Sequence, residues 1–538
     1  MISHPDAGPP WDVVKAETVI DLFHDACRRA PERAAIVFED GLVITYAALR
    51  EKVEDAAARL SGRIAPGEHV AIMIDNRAEF MIAFLALVTL RGVLVPLAPG
   101  ARDVDAGHML RNSGSVLAIA SEASLGLLES LKGSCPALRE IVTIAGEEPD
   151  GLRAIGVEQG KAIDRGCQRS DITAIYYTSG TTGMPKGCMI DHEYWLRACD
   201  VLHRLSRPAE GFAQLSCVPF YHVDAVGQFV VSLQSAGTIV YMRRFSASRF
   251  WTVARAHDVS EIFLVASMPI LLLKQAPGPC DREHRISTAV CAAMSPQLHR
   301  EFCERFGILL LEGYGSTEAG WLARVPKAFG EAMIGSGSMG VAMPEVEYRI
   351  IDDTGRDVGE DKPGELMVKA PGLFRGYVND PAATAAVLKD GWYSTGDIVS
   401  RDDRGFLYFR GRRKDFIRRA GENIACAEIE DVLRMIPLIL DAAVVAIPDE
   451  IRGEEALAYV ILMPGAIVAT LPPEVIAAHC AQHLTFFKVP RYIAYWTGDF
   501  PRTPTMRVQK GALAGTRLAI WDRMTNVWTG EDRDSLSA

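Results

Sequence analysis

The chain has 538 residues, 49% of them hydrophobic and 23% charged, and 57 Lys and Arg against 68 Asp and Glu leave a net charge of −11. That length implies roughly two to four folding units, and the balance excludes a disordered, collagen-like or coiled-coil chain. The acidic excess argues against a polyanion as main partner, so no nucleic acid is expected, although a few cations and backbone N–H groups suffice to hold one nucleotide. The eleven cysteines are scattered, with no CxxC pair and no Cys/His cluster at metal-ligand spacing. This predicts free, mostly buried thiols in a reducing compartment. The opening residues carry neither a basic start nor an apolar core, and the most apolar stretch, residues 80–90, is about half a membrane span. The expectation is a cytoplasmic protein with no membrane span.

In chain order, residues 56–60 and 79–90 place apolar side chains at helical spacing, while residues 69–74 and 93–97 are short β-branched runs closed by Pro and Gly. Strand, helix, strand is the order of βαβ units around a buried, largely parallel sheet. It returns at 237–242 (strand), 250–257 (helix) and 261–265 (strand). From about residue 336 to 409 the strands shorten and turns recur at 353–355, 362–364 and 402–405, which predicts a smaller antiparallel, barrel-like element. After Gly411 the basic run GRRKDFIRR leads into a compact α+β texture, with helices at 427–435 and 473–483 and strands at 441–447 and 457–462. The boundary falls at 412–415, giving an N-terminal domain 1–412, a hinge at 413–414 and a C-terminal domain 415–538. The last two dozen residues read as a loosely held tail.

Residues 177–187 read YTSGTTGMPKG, directly after the apolar run 172–176. Glycines such as Gly180 expose backbone N–H groups to a close anion. Thr178, Ser179, Thr181 and Thr182 add hydroxyl donors, and Lys186 adds a point charge. The loop lacks the Gly-Lys-Ser/Thr of a Walker A motif. The string resembles the first signature of the adenylate-forming superfamily, which comprises acyl-CoA synthetases, peptide-synthetase adenylation domains and luciferases. Four further strings follow in the family order: EGYGSTE (312–318), YSTGDI (393–398), GRRKD (411–415) and AGENIACAEIE (420–430). The resemblance runs over about residues 15–525. PFYHVD (219–224), residues 302–307 and the GEN string look most like the carnitine/crotonobetaine-CoA ligase branch.

The resemblance implies a large α/β N-terminal domain, parallel-rich with a barrel-like element, and a small mobile α+β C-terminal lid. It implies ATP, Mg²⁺ and CoA, and a small-molecule carboxylic acid that is first joined to AMP and then passed to a thiol. Glu318 would hold Mg²⁺, Thr317 would contact the α-phosphate, and Tyr314 would stack on adenine, with Glu312 and Gly313 beside it. Asp397 would take the ribose hydroxyls, reinforced by Arg412. Singly, Glu318 reads as a solvated carboxylate, Tyr314 as core and Asp397 as a turn residue; the joint pattern assigns them. His222 would orient the acid's carboxylate. Asp224 has two readings, the N-cap of a helix starting near Ala225 or the counter-ion of a cationic substrate group. Lys414 matches the hinge, and Ala420, Gly421 and Glu422 match the loop lining the pantetheine tunnel, where many relatives carry Gly-Gly.

One stretch departs from the pattern. Residues 500–513 read FPRTPTMRVQKGAL, and the positions of the family's Gly-Lys hold Met506 and Arg507. Three readings stand: Arg507 supplies the adenylation charge, Lys510 supplies it through a shifted loop, or adenylation is impaired. Arg and Lys are not interchangeable at a directed contact. The acyl pocket is expected around Trp195, residues 221–228, 292–295 and 312–313, with CAAMSP (291–296) shortening it. The rivals to a CoA ligase are transfer to an amine or a carrier-protein thiol, and a non-catalytic nucleotide- or acyl-binding protein. A monomer or homodimer is expected.

Overall fold

The computed structural model describes residues 15–146, 148–155, 166–178, 184–206, 211–265, 268–292, 294–413, 415–420, 422–502, 508–513 and 518–529. The strands His69–Met73 and Val93–Pro96 lie parallel, joined by the helix Ala78–Thr89, as their pattern predicts. All twelve residues of that helix are buried, as befits a helix apolar on every side. Its one acid, Glu79, accepts from Arg77 at 2.8 Å and from the Gly151 N–H at 3.2 Å, because a buried carboxylate needs partners. The first sheet runs Glu140–Thr143, Leu117–Ala120, His69–Met73, Val93–Pro96, Ile172–Thr178, Lys186–Asp191. Its last pair is an antiparallel hairpin that carries the hydroxyl- and glycine-rich string; positions 179–183 of that string lie outside the described residues.

The second sheet begins as another parallel α/β unit. Ala213–Ser216, Thr238–Tyr241, Glu261–Leu264 and Thr288–Cys291 align in parallel. A single buried cluster takes Ile36 and Phe38 from this sheet and Val70 and Ile72 from the first, with the helix Ala78–Thr89 between them. The strand Leu309–Ser316 then changes partner. Up to Cys291↔Glu312 it pairs in parallel with Thr288–Cys291; from Gly313↔Arg324 it pairs antiparallel with Gly320–Arg324. The antiparallel strands expected over 336–409 are present, but they close no barrel. They continue the same sheet, a path of thirteen described strands with Val43–Thr45 at one edge and Glu347–Ile351 at the other, and Leu388–Lys389 pairs with Trp392–Arg401 off that path. Each edge strand is short and paired on one side only, a form that limits edge-to-edge association. Gly340 makes the continuation possible: at φ +92, a Cβ there would lie 1.8 Å from the Arg324 carbonyl carbon.

Arg412 ends the last strand of this sheet, and Phe416 opens a third one. In it the long hairpin Ile439–Asp449 and Gly453–Leu462 pairs antiparallel, and Tyr492–Tyr495 joins in parallel. The helices Cys426–Arg434 and Pro473–His483 contribute Ile429, Leu433, Ile476 and Cys480 to its core. The expected loose tail is partly structured. Ile520–Asp522 and Val527–Thr529 extend the sheet, because Trp521 is buried in the same core and its indole donates to Asn526 at 2.9 Å. The Lys274 ammonium donates to the Ile439 carbonyl, linking the larger body to this third sheet. Among the described residues no helix is long and apolar enough to cross a membrane.

Candidate active site

A cavity of about 1320 Å³ gathers side chains from the hairpin of the first sheet, the partner-switching strand, the antiparallel strands and the helix Val223–Gln234. Thr178, Lys186, Thr317 and Glu318 line it together. Glu318 Oε1 accepts from the Tyr377 hydroxyl at 3.1 Å and from Thr178 Oγ1 at 3.4 Å. The Lys186 ammonium sits 5.1 Å from the centre of the Tyr377 ring. The turn after Glu318 is clamped by buried Arg197, which donates to the carbonyls of Ala319 and Trp321 at 3.0 and 3.1 Å. Cys188 lies behind the carboxylate, its sulfur 3.8 Å from Thr178 Oγ1. Burial first and then the Glu318 charge push its thiol well above the ordinary range.

Among the described residues no three His, Cys, Asp or Glu groups converge on a metal position. One carboxylate flanked by hydroxyls is still a hard-oxygen donor set. It fits Mg²⁺, which keeps several waters and takes one or two carboxylates plus phosphate oxygens.

Farther along the cavity, Asp397 and Arg412 are cross-strand partners on Trp392–Arg401 and Leu407–Arg412. Arg412 Nε lies 3.1 Å from Asp397 Oδ1, and the Tyr314 hydroxyl donates to Oδ2. This contact is an ion pair and not a hydrogen bond, and buried Oδ1 accepts no hydrogen bond among the described residues. Burial, then the Asp397 charge, hold the Tyr314 phenol well above its usual range, so it remains a donor. Tyr314 does not line the cavity; it packs against the core of the antiparallel region. Glu312 and Gly313 also lie off it. Glu312 is buried and accepts from the Met294 N–H at 3.2 Å, and a Cβ on Gly313 would meet the Trp321 ring at 2.5 Å.

His222, not Asp224, caps the helix Val223–Gln234: its Nδ1 accepts the Asp224 N–H at 3.3 Å. The helix starts two residues earlier than expected, which puts Asp224 in its first turn. With Nδ1 as acceptor, Nε2 is the protonated ring nitrogen. Asp224 Oδ2 is 3.3 Å from the same Nδ1. Burial raises the Asp224 carboxyl above its usual range, opposed by His222. Both residues line the cavity, as do Trp195, Tyr221, Gly227, Gln228 and Ala292; Met294 and Ser295 do not.

The C-terminal positions lie elsewhere. Lys510 pairs with Glu430 at 2.8 Å within the third sheet's domain and does not line the cavity. Ala420 takes φ +51, the left-handed region that favours glycine, and Glu422 is exposed. Ser179, Gly180, Thr181, Thr182, Lys414, Gly421 and Arg507 lie outside the described residues. Residues that sequence patterns did not single out are Tyr377, which holds Glu318, and the cavity-lining Gln214 and Glu261. No local spacing marks them, since each matters only through a neighbour distant in sequence.

A sequence family described as AMP-binding enzyme matches residues 23–378, and one described as AMP-binding enzyme C-terminal domain matches 428–507. The chain belongs to the AMP-binding enzymes. Crotonobetaine/carnitine–CoA ligase of Salmonella paratyphi A is 29% identical over 521 residues, covering 93% of this chain and 99% of that one. The enzyme of the same name from Escherichia fergusonii is 30% identical over 524 residues, covering 93% and 100%. Among solved structures, this AMP-binding enzyme is similar to Bacillus subtilis o-succinylbenzoate CoA synthetase in complex with its acyl-adenylate intermediate. The TM-score is 0.81 at 26% identity, over 92% of this chain and 98% of that one. ATP-bound MatB from Rhodopseudomonas palustris gives 0.79 at 25% identity, over 92% and 98%.

Proposed function

We propose that this AMP-binding enzyme is an AMP-forming acid–CoA ligase. A carboxylate oxygen attacks the α-phosphorus of ATP, the bond to the bridging oxygen breaks and pyrophosphate leaves. The CoA thiol then gives up its proton and attacks the acyl carbon, and AMP leaves. The observation that carries the reading is that Thr178, Lys186, Glu318, His222, Asp397 and Arg412 line one cavity. Both half-reactions bring anions or a nucleophile to one centre, so alignment and charge neutralisation do most of the work.

In this reading Asp397 takes the ribose through Oδ1, which accepts no hydrogen bond among the described residues, with Tyr314 and Arg412 fixing the carboxylate. Lys186, Thr178, Ser179, Gly180, Thr181 and Thr182 cradle the outer phosphates, and Thr317 contacts the α-phosphate. Glu318 would hold Mg²⁺, which supplies charge neutralisation on phosphate oxygens. His222, with its proton on Nε2, orients the acid's carboxylate, and Asp224 faces the acyl group. The two bodies are domains 1–412 and 415–538, with Lys414 in the hinge. Ala420, Gly421 and Glu422 border the CoA thiol's path. Because Lys510 is committed to Glu430, Arg507 is the favoured source of the adenylation charge. Buried, free thiols suit a cytoplasmic protein, acting as monomer or homodimer.

The test is pyrophosphate release with ATP and Mg²⁺ over short and medium fatty acids, aryl acids, and betaine-type or β-amino acids, with and without CoA. CoA-dependent turnover on one class is the expected result. Release indifferent to CoA would transfer the reading to an amine or carrier-thiol acceptor. ATP binding with no release on any acid would overturn catalysis altogether.

A further inference from the structure

Two glutamines that line the cavity carry amide atoms with no partner among the described residues. Gln228 and Gln214 are both more than nine-tenths buried, and both line the cavity. Neither Nε2 nor Oε1 of Gln228 has a hydrogen-bond partner among the described residues, and neither does Oε1 of Gln214. Gln228 stands one helical turn after Asp224, on the same face of Val223–Gln234. Gln214 is the register partner of Glu261 across two parallel strands, and Glu261 lines the cavity too. The large majority of buried polar groups in folded proteins are paired, so three unpartnered amide atoms on two cavity-lining side chains point to polar contents.

We propose that the acid this enzyme activates carries a neutral hydrogen-bonding group, a hydroxyl, ketone or amide, in its acyl chain, seated against Gln228 and Gln214. The inference rests on the ligase reading and narrows it. A polar acyl group can supply the partners these amide atoms lack, an alkyl group of the same shape leaves them unpaired, and sites built to hydrogen-bond a substrate discriminate strongly for that reason. A glutamine offers a donor and an acceptor together, so it reads a neutral polar group better than a charge.

The experiment compares acids matched in shape: N-acetylglycine and 4-oxopentanoate against 4-methylpentanoate, and 3-hydroxybutanoate against 3-methylbutanoate. The readout is kcat/KM for pyrophosphate release, in the wild type and in Gln228→Leu and Gln214→Leu. At least one polar acid should exceed its alkyl partner by about tenfold or more in the wild type. Gln228→Leu should erase that ratio. A ratio taken within one variant cancels any loss of folded enzyme, and the wild-type arm decides even where a variant fails to fold. Alkyl acids turned over as well as their polar partners would overturn the inference and leave the ligase intact. A polar preference that survives both leucine variants would overturn it as well. No release from any acid would remove the ligase reading, and this inference with it.

Discussion

Asp397 has one oxygen committed to the Tyr314 hydroxyl and one, Oδ1, that lacks a donor although Arg412 stands beside it. Such an atom, buried at a cavity wall, is an acceptor prepared for a ligand hydroxyl. Asp397→Ala should therefore raise KM for ATP by about tenfold or more, the loss of one charge-assisted hydrogen bond, with a smaller change in KM for the acid. Tyr314→Phe should have a weaker effect in the same direction, because it frees Oδ2 without removing the carboxylate. Equal effects on both substrates would argue against a nucleotide role. Thr178, Glu318, Asp397 and Arg412 are legible in sequence only as a set, through the family resemblance of the strings that carry them. Gln228 falls inside the expected pocket stretch 221–228, but nothing sets it apart there, since a lone glutamine in an apolar helix is ordinary and its significance lies in partners it lacks among the described residues. Asp224 was open to two readings, and the helix start resolved one of them: His222 takes the capping role.

At the scale of elements, the strand Leu309–Ser316 explains both what the sequence pattern revealed and what it concealed. Alternation and turn spacing identify strands and their approximate partners. They carry no information on whether a row of antiparallel strands closes or continues, which depends on close backbone approaches such as that at Gly340. Gly340→Ala places a methyl inside the Arg324 peptide, and φ +92 is strained for any side chain. The loss should exceed about 4 kcal/mol, the range of severe backbone and packing defects, read as a failure to recover folded protein or a collapsed melting temperature. The described part of the tail, 518–529, is ordered for a related reason: one large aromatic, Trp521, buries enough surface to hold short strands that look weak alone. Lys510 poses a different question. Removing it leaves buried Glu430 with the Val444 N–H and a 3.7 Å arginine contact. Lys510→Ala should lower stability by roughly 2–3 kcal/mol in urea unfolding and change adenylation little. Arg507→Ala should slow adenylation by about tenfold or more. The reverse pattern would hand the charge to Lys510.

Over the whole molecule, burial of a single imidazole ties stability to pH. His192 is buried, its Nδ1 accepts the Val19 N–H at 3.0 Å, and burial lowers its pKa to about 4. The unfolded chain takes up that proton near pH 6.5, the folded one only near pH 4. Stability is thus complete above 6.5 and is lost as pH falls toward 4. Between pH 7 and pH 5 the loss should be about 2 kcal/mol, and His192→Asn, which retains an acceptor, should remove that increment from the urea-unfolding difference. The overall plan, two α/β sheets and a smaller α+β body, is legible from the alternation of patterns, because layered packing follows from which faces are apolar. The contact of Lys274 with the Ile439 carbonyl is not, since it joins residues 165 positions apart in different sheets' neighbourhoods and no local pattern marks it.

Cys188 gives the chemistry a last constraint. A protein that makes a mixed anhydride exposes its own nucleophiles to acylation, and a thiol is the most reactive of them. Here the sulfur nearest the phosphate-side carboxylate is fully buried and held as the unreactive thiol by desolvation and by Glu318. Self-modification is thereby suppressed at the position where it would do most damage, and the activated acyl group must wait for an acceptor that arrives from solution. Incubation with ATP, Mg²⁺ and a turned-over acid, with CoA withheld, should leave the intact mass of the chain unchanged. An acyl adduct mapped to Cys188 would mean that the thiol is a participant and not a bystander.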